Sequence, residues 1–289
     1  AEARTARAAL ERAEPLLKKF RQAVLSAAFR GELTERDAND EPASVLLERI
    51  RAERIKKWGN DLRAKGKDQA KAKFVEAELP NTRELGELPE GWEWATVEQI
   101  AEVRLGRQRS PSRAKGPNMR PYLRSANVTW DGLDLLDVKE MDFTVQEQET
   151  YRLKRGDIVL VEGSGSISEV GKPAIWNDEI ENCCMQNTLI RVRTDAPLPE
   201  YLHLHFQYDA LGARFRHATK GIGINHLGAQ GLSEWVIALP PLAEQKRIVE
   251  RVESLFAQAE QIERAVEIAR RRAEKVGQAI LARAFRGEL

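Results

Sequence analysis

Cysteine is scarce: the 289 residues hold two, and they are neighbours, Cys183 and Cys184. Adjacent cysteines cannot close an ordinary disulfide with each other. A disulfide scaffold is thereby excluded and a reducing compartment is the expected setting; a thiolate metal site has no third cysteine to draw on, so no bound metal is expected. Long apolar runs are missing as well. No stretch approaches the roughly 18 to 20 apolar residues of a membrane helix, and the opening residues lack the apolar core of a secretion signal. The expectation is a cytoplasmic protein with no membrane partner. Excess charge of one sign is also lacking, since 46 Lys and Arg stand against 45 Asp and Glu for a net +1, although charged residues make up 31% of the chain. This balance excludes a uniformly basic protein and a disordered charged tail, so any affinity for nucleic acid has to be local. The chain also opens on AEARTARAAL, without methionine and already inside a helical pattern, from which we expect it to be part of a longer polypeptide.

What is present, first of all, is a repeat. QAVLSAAFRGEL (22–33) and QAILARAFRGEL (278–289) agree at most positions, and Gln278 lies 256 positions after Gln22; internal repeats are read first because they set the architecture. Each copy ends a helical pattern. Near the start, apolar residues step by three and four through Leu10, Leu17, Phe20 and Val24; near the end the same rhythm runs through Ile248, Val252, Leu255, Ile262, Val266, Val276 and Ile280. Both are heptad seams. The second helix would be about 60 Å long at roughly 1.5 Å per residue, whereas Pro15 is expected to kink or restart the first. Gly31 and Gly287 follow directly and suit the left-handed cap that ends a helix. Two alanine-rich helices can resemble each other by composition alone, but here Gly-Glu-Leu continues the match beyond the helical face. Such seams do not stay single in water, and their alanines let a small residue face a large one. The first and last helices are therefore predicted to pack as an antiparallel coiled coil.

Between them the chain divides by composition into a linker (34–87), a folded domain (88–239) and the last helix (240–289), after the first helix (1–33). TERDANDEP (34–42) reads as linker, SVLLERIRAERIKKW (44–58) as a short helix, and NDLRAKGKDQAKAK (60–73) as a mobile or solvated connection. Tryptophans and turn residues in LPEGWEWATVEQIAEV announce the domain. PYLRSANV, GDIVLVEG, GKPAIW, NTLIRVRT and WVIAL look like strands bounded by Gly, Asn and Asp, and EYLHLHFQYDALGARFRHA has helical spacing. The fold class is α+β, a mixed domain flanked by long helices.

Charge is concentrated inside that domain. From Val103 to Trp130 lie seven basic residues, Arg104, Arg107, Arg109, Arg113, Lys115, Arg120 and Arg124, with no acidic one. Interspersed Gly, Pro and Ser make the stretch mostly loop, the usual way a scaffold presents side chains to a partner. Arginine predominates, and its planar fork bonds two acceptors at once on a phosphate or on a guanine edge. A second acid-free stretch (210–233) supplies Arg216, Lys220, Asn225 and His226 among glycines. The competing reading of the first stretch is a solvated basic loop. GSGS (163–166) follows a predicted strand but lacks the Lys of a phosphate loop; it is read as a turn or, through Ser164 and Ser166, as a DNA-backbone contact.

Catalytic patterns are missing. His203 and His205 sit two apart on a predicted helix, face different directions and read as packing residues. Glu244-Gln245-Lys246 echoes part of a nuclease site without an aspartate at the right spacing. No Ser/His/Asp or Cys/His set stands out, and nothing resembles an S-adenosylmethionine pocket.

The whole resembles the specificity subunit of type I restriction-modification systems. LPPLAEQKRIVERVESLF (239–256) is similar to the start of that family's conserved helix, AFRGEL to its end, LPEGWEW (88–94) to the opening of a target-recognition domain, and PYLRSANV, RGDIVLVEGSGS and GIGINHL to its internal stretches. The resemblance implies a non-catalytic, sequence-specific DNA-recognition subunit that reads one half of a bipartite target in double-stranded DNA, with Asn127 joining the basic residues at the bases. It implies helices that dock adenine methyltransferase subunits and, indirectly, restriction subunits, with S-adenosylmethionine, ATP and magnesium on those partners and no cofactor here. It further implies that the chain is the C-terminal half of such a subunit, one that lacks its first recognition domain and meets either that half or a second copy. A coiled-coil scaffold with a protein-binding central domain is the alternative, and it predicts no salt-dependent affinity for DNA; a nuclease predicts metal-dependent cleavage.

Overall fold

The computed structural model describes residues 2–83, 85–217 and 225–287. The chain opens with α1 (Glu2–Phe29), and the linker carries α2 (Ala43–Ala64). The domain begins with β1 (Glu93–Thr96), α3 (Val97–Ile100) and β2 (Glu102–Leu105), continues through β3 (Met119–Leu123), β4 (Val128–Thr129), β5 (Gly132–Leu133) and β6 (Lys139–Asp142), and reaches α4 (Val145–Tyr151). Then come β7 (Ile158–Val161), β8 (Gly163–Ser164), β9 (Pro173–Ile175), β10 (Cys184–Met185), β11 (Leu189–Arg193), α5 (Pro199–Leu211), β12 (Asn225–His226), α6 (Ala229–Ser233) and β13 (Val236–Leu239); α7 (Leu242–Phe285) follows. The architecture is α+β, as expected.

At the centre lies an antiparallel sheet in the order β2-β11-β7-β9. Every residue of β7 is buried, because both faces are covered. Successive side chains alternate between faces: Ile158 and Leu160, with Ile190 and Val192, join the core built by the helices, whereas Val159 and Val161, with Leu189 and Ala174, join a second core with Leu123, Val128, Trp176 and Met185. A smaller sheet, β10-β3-β6, covers that second face, β10 parallel and β6 antiparallel to β3. Cys184, on β10, and the preceding Cys183 are buried, and burial pushes both thiols up to about 12, which leaves them unreactive.

The β1–β13 ladder pairs Glu93 with Leu239, so the chain enters and leaves the domain at one place. There α1, α2 and α7 meet. Leu25, Ala28, Leu46, Ile248 and Val252 are buried together, each large apolar side chain contributing roughly 1.5 to 3 kcal/mol. The linker helix is thus part of the core rather than a spacer, and it runs six residues past Trp58, taking up the start of the expected mobile connection.

α1 and α7 run antiparallel: Arg21 makes a two-pronged ion pair with Glu263 (2.9 and 3.0 Å), and Thr34, beyond the end of α1, donates to Glu244 (3.2 Å). α1 continues through Pro15 without a break. Both helices end where the repeat places glycine at positive φ, Gly31 at 70° and Gly287 at 72°. Burial along the seam is uneven. Leu17, Val24, Ile248 and Val252 are buried and Leu255 and Val266 half-buried, but Phe20, Ile262 and Val276 are exposed, the last two by 52% and 59%. The two side chains Leu10 and Ile280 lie outside those described. The expected continuous seam is therefore corrected to a covered inner part and an open outer part, because the core that buries the inner turns ends near Ala259.

Candidate nucleic-acid interface

Antiparallel pairing puts the ends of β2 and β7 and the starts of β11 and β9 on one edge of the central sheet, and the loops that carry the polar residues gather there. Gly106, just past β2, approaches so closely that a Cβ on it would lie 2.2 Å from the Gln186 carbonyl oxygen; only glycine fits. Arg107 and Gln186 then bridge as parallel chain. β3 delivers Arg124 to the same edge, where the Ser125 N–H donates to Thr188 Oγ1 (3.0 Å) and the Glu162 N–H to the Thr188 carbonyl (2.9 Å). The GSGS stretch and the second acid-free stretch also meet, since β8 and β12 pair Ser164 with Asn225 and Gly163 with His226. His226 Nδ1 lies 2.9 Å from Glu162 Oε2.

Arg216 reaches this edge by a packing device. Phe215 is buried against Trp235, with ring centroids 4.8 Å apart, and sits where a Cβ on Gly171 would be, 2.2 Å from its ring. This leaves Arg216 exposed beside the start of β9. Asp209, buried, holds the same region by accepting from Trp235 Nε1 (2.8 Å), by its contact with His205 Nδ1 (3.0 Å) and by its ion pair with Arg214 (3.2 Å). His205 is thus a packing residue, its ring tilted by 56° against that of Phe29 of α1 with centroids 4.5 Å apart. Lys220 lies outside the described residues, as does the side chain of Asn225.

The first basic stretch is less free than its sequence suggests. Arg107 is buried, pairs with Glu147 (2.9 Å) and lies over the Phe143 ring at 5.4 Å. Arg113 pairs with Asp142 (3.0 Å), Arg124 with Asp137 (2.6 Å) and Arg104 with Glu102 (2.9 Å), while Arg120 donates to Gln148 (3.0 Å) and to its neighbour's carbonyl. The acids come from outside the stretch, so counting charge along the chain overstated the local field. Electrostatics agree: the Asn118 N–H and the Arg113 guanidinium hold the Asp142 carboxyl below its ordinary range against the effect of burial. Glu147 is likewise held low by the Thr144 N–H and Arg107, although burial acts the other way and most strongly. Arg109 and Lys115 are exposed and form no ion pair among the described residues.

Asn127 is also committed to the fold. Its side chain accepts from the Arg124 N–H (3.1 Å) and donates to the carbonyls of Asp134 (2.9 Å) and Asp137 (3.2 Å), which is why the strand expected through Val128 stops at Leu123 and turns. Arg107 and Asn127 therefore shape the loops from within. Among the remaining basic residues, Arg113 and Lys115 lie before the start of β3, Arg120 on it and Arg124 just past its end.

Sequence reasoning missed two features of the edge. Lys172 pairs with Glu169 and lies 5.9 Å from the Trp130 ring. Gln186, Asn187 and Thr188 form a half-buried polar turn between two buried strands; a polar triplet inside an otherwise apolar stretch was the available signal. Glu244 and Gln245, by contrast, have structural duties: Glu244 accepts from Trp92 Nε1 (2.9 Å), and Gln245 accepts from the Leu198 N–H (3.1 Å) and donates to the Pro240 carbonyl (2.9 Å). Among the described residues no cluster of His, Cys, Asp or Glu could hold a metal ion, and no helix is long and apolar enough to cross a membrane.

Comparison with known proteins gives a consistent result. Residues 89–269 match the family described as the type I restriction modification DNA specificity domain. The specificity subunit of the type I restriction enzyme EcoKI of Escherichia coli K12 is 28% identical over 286 residues, which cover 98% of this chain and 52% of that protein. The StySPI specificity subunit of Salmonella potsdam is 34% identical over 149 residues, 50% of this chain and 32% of that protein. Among solved structures, one described as showing complex assembly and conformational transition of the type I R-M system aligns with a TM-score of 0.56 at 21% identity, over 85% of this chain and 57% of that one. The HsdS subunit of Thermoanaerobacter tengcongensis aligns at 0.50 and 19%, over 99% of this chain and 57% of that one. The chain spans about half the length of the relatives it matches.

Proposed function

The chain belongs to the family of type I restriction-modification DNA specificity domains, and from that premise we propose that it reads one half of a bipartite target in double-stranded DNA through the loops at the sheet edge. The observation that carries this reading is the convergence there of Arg124, Ser164, Ser166, Arg216 and His226 with the polar turn 186–188, on a sheet whose central strands β7 and β11 are buried on both faces. Arg109, Lys115 and Lys220 supply charge at its margins; phosphate contacts set the register of the protein on the duplex, and base-edge contacts specify the sequence. The chain itself does no chemistry. Its exposed outer seam, with Ile262 and Val276, has the character of an interface; in this reading it receives adenine methyltransferase subunits and the helices of another recognition half or of a second copy of this chain, with restriction subunits attached through those partners. S-adenosylmethionine, ATP and magnesium belong to the partners.

Binding of the full chain to fluorescent random-sequence duplex, measured across a salt series, tests this. The reading expects the logarithm of the affinity to fall linearly with log salt concentration, with a slope of roughly 0.9 per phosphate neutralised. Affinity that is absent or independent of salt would refute it in favour of a protein-binding scaffold.

A further inference from the structure

The turn between β10 and β11 is fixed from several sides. The Gln186 N–H donates to the Leu123 carbonyl (2.9 Å), the Asn187 N–H to the Arg107 carbonyl (3.0 Å) and the Leu189 N–H to the Gln186 carbonyl (3.0 Å). Gly106 seals it by close approach. Thr188 is used by the fold, through its hydroxyl and its carbonyl. The side-chain amides of Gln186 and Asn187 differ: both are half-buried, yet among the described residues neither makes a hydrogen bond. Neither amide is among the side-chain atoms buried without a partner, so both stay open to solvent and free to meet one. The turn lies in the middle of the sheet edge, tied on one side to Arg107 and on the other to Ser125 and Glu162. Side chains held this way need little ordering when they meet a partner, which favours discrimination.

Resting on the DNA-recognition reading above, we propose that Gln186 and Asn187 are specificity-determining residues that read adenine in the major groove. A carboxamide accepts from adenine N6–H and donates to N7, a two-bond match that no other base edge in that groove offers. A buried Arg107 below the turn and a paired Arg124 beside it leave these two amides, among the described residues, as uncommitted base-reading groups at the centre.

The test selects duplexes from a random-sequence pool at low salt with the full 289-residue chain, sequences the bound fraction, and repeats this with Asn187→Asp, Gln186→Glu, Asn187→Ala and Gln186→Ala. The acidic variants keep shape but lose the donor to N7 while still accepting from cytosine N4, so adenine preference at one position should fall by roughly 10- to 100-fold and cytosine should rise there. Each alanine variant should flatten its position and leave the others unchanged. An unchanged motif in variants that melt like the parent overturns the assignment, as does uniform weakening with the adenine preference intact, or a parental motif without adenine. Failure of the parent to bind any duplex is a separate result, which overturns the DNA-recognition reading and this inference with it.

Discussion

Replacing Glu244 with alanine tests how the last helix is locked to the domain. Glu244 is 2% exposed and accepts from Trp92 Nε1 at 2.9 Å and from the Thr34 hydroxyl at 3.2 Å. It thus joins three parts of the chain: the segment after α1, the opening of the domain and the first turn of α7. Glu244→Ala strips a buried indole N–H of a charged acceptor, a loss of roughly 1.5 to 3 kcal/mol; Thr34 is partly solvated and adds less, while removal of a buried carboxylate gives some of this back. A net loss of about 2 kcal/mol follows, which lowers Tm by roughly 4 to 8 °C for a chain of this size. Glu244→Gln keeps an acceptor and should lose about half as much. Urea denaturation of the parent, Glu244→Ala, Trp92→Phe and the double variant gives the coupling between the two groups, expected at roughly 0.5 to 3 kcal/mol. Additive losses, or a Glu244→Ala protein within about 0.5 kcal/mol of the parent, would refute the assigned lock.

Other perturbations separate shaping residues from contacting ones. Arg107→Ala should destabilise the chain by roughly 1 to 3 kcal/mol, since it strips Glu147 of its ion pair in a mostly buried setting, and should show this in thermal melting rather than as a change at one base position. Arg109→Ala and Lys115→Ala should leave Tm unchanged, weaken all duplexes alike and each lower the salt slope by about 1 where a phosphate contact is lost; anisotropy titrations across salt decide. Burial pushes His203 down to about 4 from its ordinary 6.5, so the unfolded chain binds the extra proton first. Stability from this group is present above pH 6.5 and is lost as pH falls toward 4, by up to roughly 3 kcal/mol; urea melts of the parent and His203→Gln at pH 7 and pH 5 should show a smaller acid loss in the variant.

The helices and strands were legible because local rules governed them. The repeated Phe-Arg-Gly told where α1 and α7 end, since a positive φ admits glycine most readily, and apolar runs such as IVLV marked strands buried on both faces. Partners distant in sequence were not legible. Nothing local in the stretch from Val103 to Trp130 shows that Asp137, Asp142 and Glu147 will return across β6 and α4 to neutralise Arg124, Arg113 and Arg107. The resemblance placed Asn127 at the bases, whereas its amide is spent on three backbone groups. The outer seam of α7 was read as covered because periodicity says which face is apolar and not how far a partner extends along it.

Sequencing of methyladenine in the host genome with and without the intact gene tests most directly the proposal that this chain reads one half of a gapped DNA sequence. The account predicts loss of methylation at a single two-part motif separated by a fixed gap. An unchanged methylome in a strain whose partner methyltransferase is expressed and active would contradict it.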